Sequence, residues 1–264
     1  MFIPSFMGFD KAGFGDPDAL AFFARVTAAG GSLTATEKSA VTTLVTTMKA
    51  NSLWTPMKAI YPMVGASAAA CAQNLKSSSF TGTFTSGWTF ASTGVTPNGT
   101  SAYMDTGFNP NTECASANVG GLGIYSRTSR AGATNRAQGI SSSSFFGGWV
   151  RYDATTSYGA INDGTGGGIT NATSQLFWQV ARNNSATQLI QGLNGTTTTL
   201  TQAATLRPNT NVYFGATNNG SVANNFDNLE MALCYLSGDA LSSTNLQNMY
   251  TAVQAFQTTI GRQV

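Results

Sequence analysis

Residues 188–200 read QLIQGLNGTTTTL, and this stretch decides the fold. Two runs suited to strands, 188–193 and 196–200, flank the pair Asn194-Gly195. Asn-Gly is typical of a type I′ turn, because both central residues of that turn need a positive φ. The stretch therefore predicts an antiparallel β-hairpin.

Similar runs extend from about residue 58 to residue 236. They are short, rich in aromatic and β-branched residues, and separated by clusters of Gly, Asn, Ser and Thr, with another turn at Asn98-Gly99. No helical pattern of 10–15 residues lies between them, so crossovers to a parallel sheet are not supported, and the glycine cluster 164–168 reads as a strand connection. We expect a mainly β, antiparallel sandwich with strand runs at 80–84, 88–90, 122–125, 145–152, 176–180, 212–215 and 231–236.

The segment before the strands predicts a helical hairpin. Asp16 and Pro17 suit the N-cap and first turn of a helix that ends at Gly30-Gly31, with Leu20, Phe23 and Ala24 on one side. A second helix begins with the capping box Thr34-x-x-Glu37, and its apolar face repeats at helical spacing over Val41, Leu44, Val45 and Met48.

A C-terminal helix is predicted after Ser242, its N-cap, and ends before Gly261. We expect its apolar stripe to pack on the sandwich; the stripe consists of Leu246, Met249, Tyr250, Val253, Phe256 and Ile260.

The composition argues against catalysis. The 264 residues include no histidine, and 9% are charged, against about 25% in a typical soluble domain. Ser-His-Asp and Cys-His nucleophile systems and histidine-bearing zinc sites are therefore excluded. A glycosidase needs two carboxyl groups about 5–9.5 Å apart, and Asp105, Glu113, Asp227 and Glu230 form no motif of that kind. We expect no enzyme activity, no cofactor and no metal, although loops with Asp153, Asp163 or Asp227 leave calcium open.

The charges and the termini limit the partners. The 13 basic and 11 acidic residues are scattered singly, so nucleic acid is not an expected partner. No apolar run reaches the length of a membrane helix, and the N-terminus lacks the pattern of a signal peptide. Three distant cysteines, Cys71, Cys114 and Cys234, predict buried free thiols.

Two groups of aromatic residues are candidate contact sites. Residues 1–15 form an arm that either packs on its own domain or docks on a neighbouring subunit, and its aromatic residues are Phe2, Phe6, Phe9 and Phe14. Trp149, Arg151 and Tyr158 suit a stacking platform for a sugar ring, with Arg151 bonded to its hydroxyls. Strand alternation puts Trp149 and Arg151 on one face and Val150 and Tyr152 on the other; burial of the aromatic face in the core is the competing interpretation.

Several segments resemble a group of tailed-bacteriophage virion proteins. They are LWTPMKAIYPMVG at 53–65, NLK at 74–76, GW at 87–88, STG at 92–94 and PNGTSAYMDT at 97–106. Residues 213–216, Leu236, Leu241-Ser242 and Met249-Tyr250 resemble the closing strands and helix of laminin-G or concanavalin A-like jelly rolls. Some members of the phage group carry histidines near the positions of Cys71 and Phe90, so no ligand role is carried over to these two residues.

The resemblance implies a jelly-roll domain on a phage particle, over most of residues 33–262. We expect a non-enzymatic capsid decoration, head fibre, tail or tail-fibre component, made in the host cytoplasm and bound to other virion proteins and to copies of itself. The predicted division is an arm at 1–15, a helical segment at 16–57 and a jelly-roll β-sandwich with its closing helix at 58–264. A carbohydrate-binding module for host-surface glycans is the alternative, and a glycoside hydrolase is a third.

Overall fold

A computed structural model describes residues 15–132 and 136–264. Within these ranges, two largely antiparallel sheets face each other as a sandwich, and helices flank it at both chain ends, as the sequence predicts. Sheet I contains, in spatial order, β13 (Thr196–Thr201), β12 (Gln188–Leu193), β11 (Leu176–Asn183), β6 (Val119–Ser126), β17 (Met231–Ser237), β4 (Gly94–Pro97) and β3 (Trp88–Ala91), and β1 (Met57–Tyr61) also pairs with β17.

Sheet II is built from shorter strands. Its order is β10 (Gly167–Thr170), β9 (Thr156–Asp163), β8 (Phe145–Trp149), β7 (Gln138–Ser141), β14 (Tyr213–Phe214), β5 (Met104–Asp105) and β2 (Thr83–Phe84), and the hairpin of β15 (Thr217–Asn219) and β16 (Val222–Asn224) lies beside β7. The glycine cluster, predicted as a connection, in fact enters strand β10.

The hairpin at 188–201 forms as predicted. β12 and β13 pair from Gln188 opposite Thr201 to Leu193 opposite Thr196. Asn194 and Gly195 have φ values of 46° and 82°, as a type I′ turn requires. β13 is the outer strand of sheet I, so this hairpin forms one edge of the sandwich.

Three long helices, α1 (Pro17–Ala28), α2 (Ala35–Ala50) and α5 (Ser243–Thr259), begin at the predicted caps. The Asp16 carboxylate accepts from the Asp18 amide, and Thr34 and Glu37 form the capping box of α2. Ser242 caps α5. Two one-turn helices, α3 (Ala68–Cys71) and α4 (Pro110–Glu113), were not predicted.

The buried face of α1 differs from the prediction. Ala19, Phe22 and Val26 are buried, whereas Leu20 is 44% exposed and Phe23 is half-buried. The spacing 19, 22, 26 also follows one helical face, and α1 packs against α2 and α3. Apolar spacing alone did not distinguish the two faces. For α2 the predicted face is buried, and for α5 it is buried except for Tyr250 and Ile260, which are half-buried.

The apolar core has two parts. One lies between the two sheets, around Trp178, Ile161 and Phe214. The other lies between the outer face of sheet I and the three long helices, where Tyr125, Phe177 and Tyr235 contact the helix layer. The central strands of sheet I, β6, β11 and β17, are therefore buried on both faces.

Two fully buried arginines connect these layers. Arg182 donates to Asp163 at 3.0 Å and to the backbone carbonyls of Ile161, Gln188 and Gln202. Arg262 follows α5 and donates to the carbonyls of Pro62, Met63 and Ala232 and to the Gln257 side chain. Burial lowers the pKa of Arg262 to about 10, and nearby Cys71 and Glu37 partly offset this effect.

The three cysteines are buried free thiols, as predicted. Burial raises the pKa of Cys71 and of Cys114 to about 12. Phe2, Phe6, Phe9 and Phe14 of the predicted arm lie outside the described residues, and the division at residues 15 and 57 stays a prediction. Among the helices that the structure describes, none has the length and hydropathy needed to span a bilayer.

Candidate functional site

An aromatic cluster of Trp149, Tyr152 and Tyr158 lies at one end of β8 and β9. Trp149 and Tyr158 are directly opposite each other in the strand register. Ring centroids are 5.7 Å apart between Trp149 and Tyr158, 5.4 Å between Trp149 and Tyr152, and 5.5 Å between the two tyrosines. All three side chains are half-buried, so the cluster combines mutual packing with exposed ring surface.

The predicted alternation past Trp149 is wrong. β8 ends at Trp149, and the chain turns over the next residues, so Tyr152 joins Trp149 instead of facing the other way. Val150 is buried in the core between the sheets. Arg151 donates to the backbone carbonyls of Arg130, Asp153 and Ala154, so its guanidinium braces loops and does not extend the aromatic surface.

The Tyr158 ring is positioned by the glycines of the neighbouring segment. A Cβ on Gly166 would lie 2.7 Å from Tyr158 Cε1, and one on Gly168 would lie 3.4 Å from Cδ2. The Tyr158 hydroxyl donates to the Thr165 carbonyl. Burial, with a smaller contribution from Asp163, raises the pKa of Tyr158, so the phenol stays protonated at neutral pH. Glycines at these positions allow the ring to lie flat along β10.

A groove of about 570 Å³ opens between the edge strands of the two sheets. Its lining combines an apolar floor with threonine hydroxyls; the residues are Gly168, Ile169, Thr170, Leu193, Thr196, Thr198 and Leu200. Gly168 also contacts Tyr158, so the groove adjoins the aromatic cluster. This volume lies within the range of small-molecule sites, and aromatic rings beside hydroxyl groups suit a sugar.

The acidic side chains are held in contacts within the chain. Asp163 is fully buried against Arg182, and burial raises its pKa although Gly166 N–H and Arg182 oppose the shift. Asp227 accepts from Arg130 and from Gln138, and Asp153 accepts from the Thr155 amide. The three aspartates considered for calcium are thus in separate contacts. Among residues 15–132 and 136–264, no group of three His, Cys, Asp or Glu side chains has the geometry of a metal site.

Sequence reasoning missed a second aromatic pair on sheet II. The rings of Tyr103 and Tyr213 stack at 4.4 Å, and Asn211 beside them donates to Asp105 at 3.1 Å. Asp105 and Tyr213 are opposite each other in β5 and β14, two strands that are far apart in sequence. Only the strand pairing brings them together, so no local motif could indicate this pair.

No protein-family model matches this chain, and no curated protein matches it. Solved structures do match. A Trypanosoma rangeli sialidase in complex with sialic acid aligns with 79% of this chain at a TM-score of 0.50 and 8% identity. The alignment covers 38% of the sialidase, so this chain spans well under half of that protein's length.

Two smaller proteins also align. One is domain 4 of AbnA, a GH43 extracellular arabinanase from Geobacillus stearothermophilus, in complex with arabinotriose. The alignment covers 73% of this chain and 97% of that domain, with a TM-score of 0.45 and 13% identity. A Ruminococcus gnavus sialidase CBM40 bound to α2,3 sialyllactose covers 49% of this chain and 80% of its own, with a TM-score of 0.36 and 14% identity.

The expectation that this chain is not an enzyme is corrected by these matches. The sialidase that aligns with most of the chain is an enzyme, so the fold does not separate this protein from enzymes. The absence of a local carboxylate motif was too weak a ground, because folding can bring distant residues together. At 8% identity the likeness shows the fold alone: this chain and part of the sialidase share a β-sandwich fold.

Proposed function

We propose that this chain is a structural protein of a tailed-phage particle and that its β-sandwich is displayed there as a capsid decoration, head fibre, tail or tail-fibre component. The phage-like segments at 53–65 and 97–106 support this proposal. They lie on β1 and around β4 and β5, so they belong to both sheets. Other virion proteins and copies of the same chain are the proposed partners.

The observation that carries the proposal is the internal bonding of the charged side chains. Lys49, Lys58, Arg127, Arg130 and Arg182 form ion pairs within the chain. Arg25, Lys76, Arg151, Arg207 and Arg262 donate to backbone carbonyls. The remaining surface is rich in Ser, Thr, Asn and Gly, which can be buried between subunits without the large desolvation penalty of free charges.

Locating the chain in purified particles tests the proposal. An antibody raised against the purified protein, followed by immunogold labelling and cryo-electron microscopy, should place copies at one symmetric position of the particle. Recovery of the protein only from the particle-free fraction of the lysate would contradict it. A particle assembled with a chain lacking residues 1–15 tests the arm, and we expect its occupancy to fall.

The aromatic cluster favours a second candidate function, the binding of a host-surface glycan. Trp149, Tyr152 and Tyr158 offer ring surface beside the threonine-lined groove. Stacking on an exposed ring contributes about 1 kcal/mol, so several rings are needed for useful affinity. Display of many copies on a particle would raise the effective affinity further.

A glycan array with three proteins tests this second function. The wild-type chain should bind a defined set of glycans, and Trp149→Ala should lose that binding. Trp88→Ala is the matched control, because Trp88 is also half-buried but belongs to a different cluster, with Phe84. Equal binding by Trp149→Ala and the wild type would remove the proposed site.

A further inference from the structure

The groove between β10 and β13 is closed at one end. A Cβ on Gly167 would lie 2.7 Å from Leu200 Cδ1, so the two edge strands are in close contact there. Gln202 Nε2 donates to Thr165 Oγ1 just beyond this contact. Away from the closed end, both strands line the groove; the residues are Gly168, Ile169, Thr170, Thr198 and Thr196.

The wall that β13 contributes is formed by alternate residues. Successive side chains of a strand point to opposite faces. Thr196, Thr198 and Leu200 share the face that lines the groove, whereas Thr197 lies on the opposite face. A substitution at residue 198 therefore changes the groove, and the same substitution at residue 197 does not.

No charged side chain is among the described residues that line the groove. Its hydroxyl groups belong to Thr170, Thr196 and Thr198, which are all exposed and can therefore bond to a ligand. The apolar surface between them belongs to Ile169, Leu193 and Leu200. The lining thus offers apolar contact and neutral hydrogen-bonding groups.

The neighbouring arginines are held by other contacts. Arg182 of β11 is fully buried and pairs with Asp163. Arg151 donates from each of its three guanidinium nitrogens to a backbone carbonyl, and Asp153 next to it carries the opposite charge. A carboxylate that entered the groove would lose water without gaining a positive partner, which is unfavourable.

We propose that the groove binds a neutral oligosaccharide and discriminates against sugars that carry a carboxylate or a phosphate. This inference rests on the glycan-binding function proposed above and specifies the ligand of that site. The aliphatic side chains pack on the C–H face of a sugar ring, and the threonine hydroxyls bond to its hydroxyl groups. Gly168 contacts Tyr158, so a further sugar unit can stack on the aromatic cluster.

A glycan array of matched pairs tests the inference. Each pair consists of a neutral oligosaccharide and the same oligosaccharide with one sialic acid, glucuronic acid or phosphate group. The wild-type chain should bind the neutral member at least about tenfold more tightly, because the charge of the acidic member loses hydration in the groove. Equal or tighter binding of the acidic members would overturn the inference and leave glycan binding itself intact. Binding of no member of any pair would contradict the glycan-binding function and the inference with it.

Two lysine substitutions on β13 test whether the groove itself discriminates. Thr198→Lys puts a cation in the groove and should raise the affinity for the acidic members at least about tenfold relative to the neutral ones. Because the expected change is a gain of binding, it cannot result from loss of the fold. Thr197→Lys is the matched control: it adds the same charge on the opposite face and should keep the wild-type preference. An equal shift in both variants, or no shift in Thr198→Lys, would overturn the inference.

Discussion

The outer faces of the two sheets carry aromatic side chains that serve opposite purposes. On sheet I, Tyr125, Phe177 and Tyr235 are fully buried under the helices, and the Tyr125 hydroxyl donates to Gln254 of α5 at 2.8 Å. On sheet II, Trp149 and Tyr158 remain half-exposed. The aromatic content of a strand therefore does not indicate whether its face is core or surface; the presence of a helix that covers it decides.

The largest expected effect comes from removing a contact under the helices. Phe22 is fully buried between α1 and the rest of the helix layer, so Phe22→Ala should lower the free energy of unfolding by about 3–5 kcal/mol. Trp149→Ala should lower it by less than half of that, because the indole is half-exposed. Urea denaturation measures both values, and similar values would mean that the two faces are equally important for stability.

The next largest effect concerns the buried arginine that holds the end of α5 to the strands. Arg262→Gln leaves the carbonyls of Pro62, Met63 and Ala232 without their charged donor, which should lower the free energy of unfolding by about 3 kcal/mol. Lys38→Gln, on the exposed side of α2, is the control and should change stability little. Thermal denaturation that shows equal losses for both variants would refute the role of Arg262 as an anchor.

A smaller effect is expected where the hairpin meets the helix layer. Gly195→Ala changes the second residue of the Asn-Gly turn and puts a Cβ at a φ of 82°, 2.6 Å from Tyr250 Cδ1 of α5. The strain should lower stability by about 1–2 kcal/mol. Gly220→Ala is the matched control, because its φ of 60° is also positive but nothing lies within 4 Å of its Cβ. Equal stability of the two variants would mean that the hairpin and α5 adjust independently.

The smallest effect on stability is expected from a change at the N-cap residue that joins α1 to α2. Burial alone raises the pKa of Asp16, but hydrogen bonds from Lys49 and the Asp18 amide outweigh it and the pKa is lowered. A lowered carboxyl pKa stabilises the fold above the unfolded value, and the contribution disappears as the pH falls through the folded value. Asp16→Asn keeps an N-cap side chain but loses the ion pair with Lys49, so it should lower stability by about 0.5–1 kcal/mol at neutral pH and by much less in acid.

Denaturation of Asp16→Asn and the wild type across a pH series measures this difference. Lys49 sets the upper pH limit of the ion pair. Burial lowers the pKa of Lys49, but Asp16 and Asp18 outweigh this effect and raise it. The ion pair therefore persists until the pH exceeds the ordinary lysine pKa. A difference that stays constant into strong acid would contradict the assignment.

Local sequence signals predicted the elements whose reasons are local. The Asn194-Gly195 turn, the Thr34–Glu37 capping box and the Ser242 cap all form as expected, because each depends on residues within four positions. The predicted buried face of α1 was wrong, because the helix has two apolar stripes and only the tertiary contacts determine which one is buried. Strand β10 was missed because Gly167 and Gly168 lack side chains, although they pair with β9.

The candidate sites were less predictable than the fold. Trp149 and Tyr158 were singled out from sequence, and the structure brings them together; whether they bind a glycan stays a prediction. The position of the Tyr152 side chain depends on where β8 ends. The position of the Arg151 side chain depends on backbone carbonyls of other loops, which accept its hydrogen bonds.

The three buried thiols can be used to measure how often the β-sandwich opens. Cys71, Cys114 and Cys234 are at most 1% exposed, and thiolates, the reactive form, are suppressed by the raised pKa values. A maleimide dye would therefore label the chain only when the sandwich separates. The labelling rate can be measured on the isolated protein and on the protein inside a larger assembly. The difference between the two rates would show how much neighbouring subunits stabilise the closed sandwich.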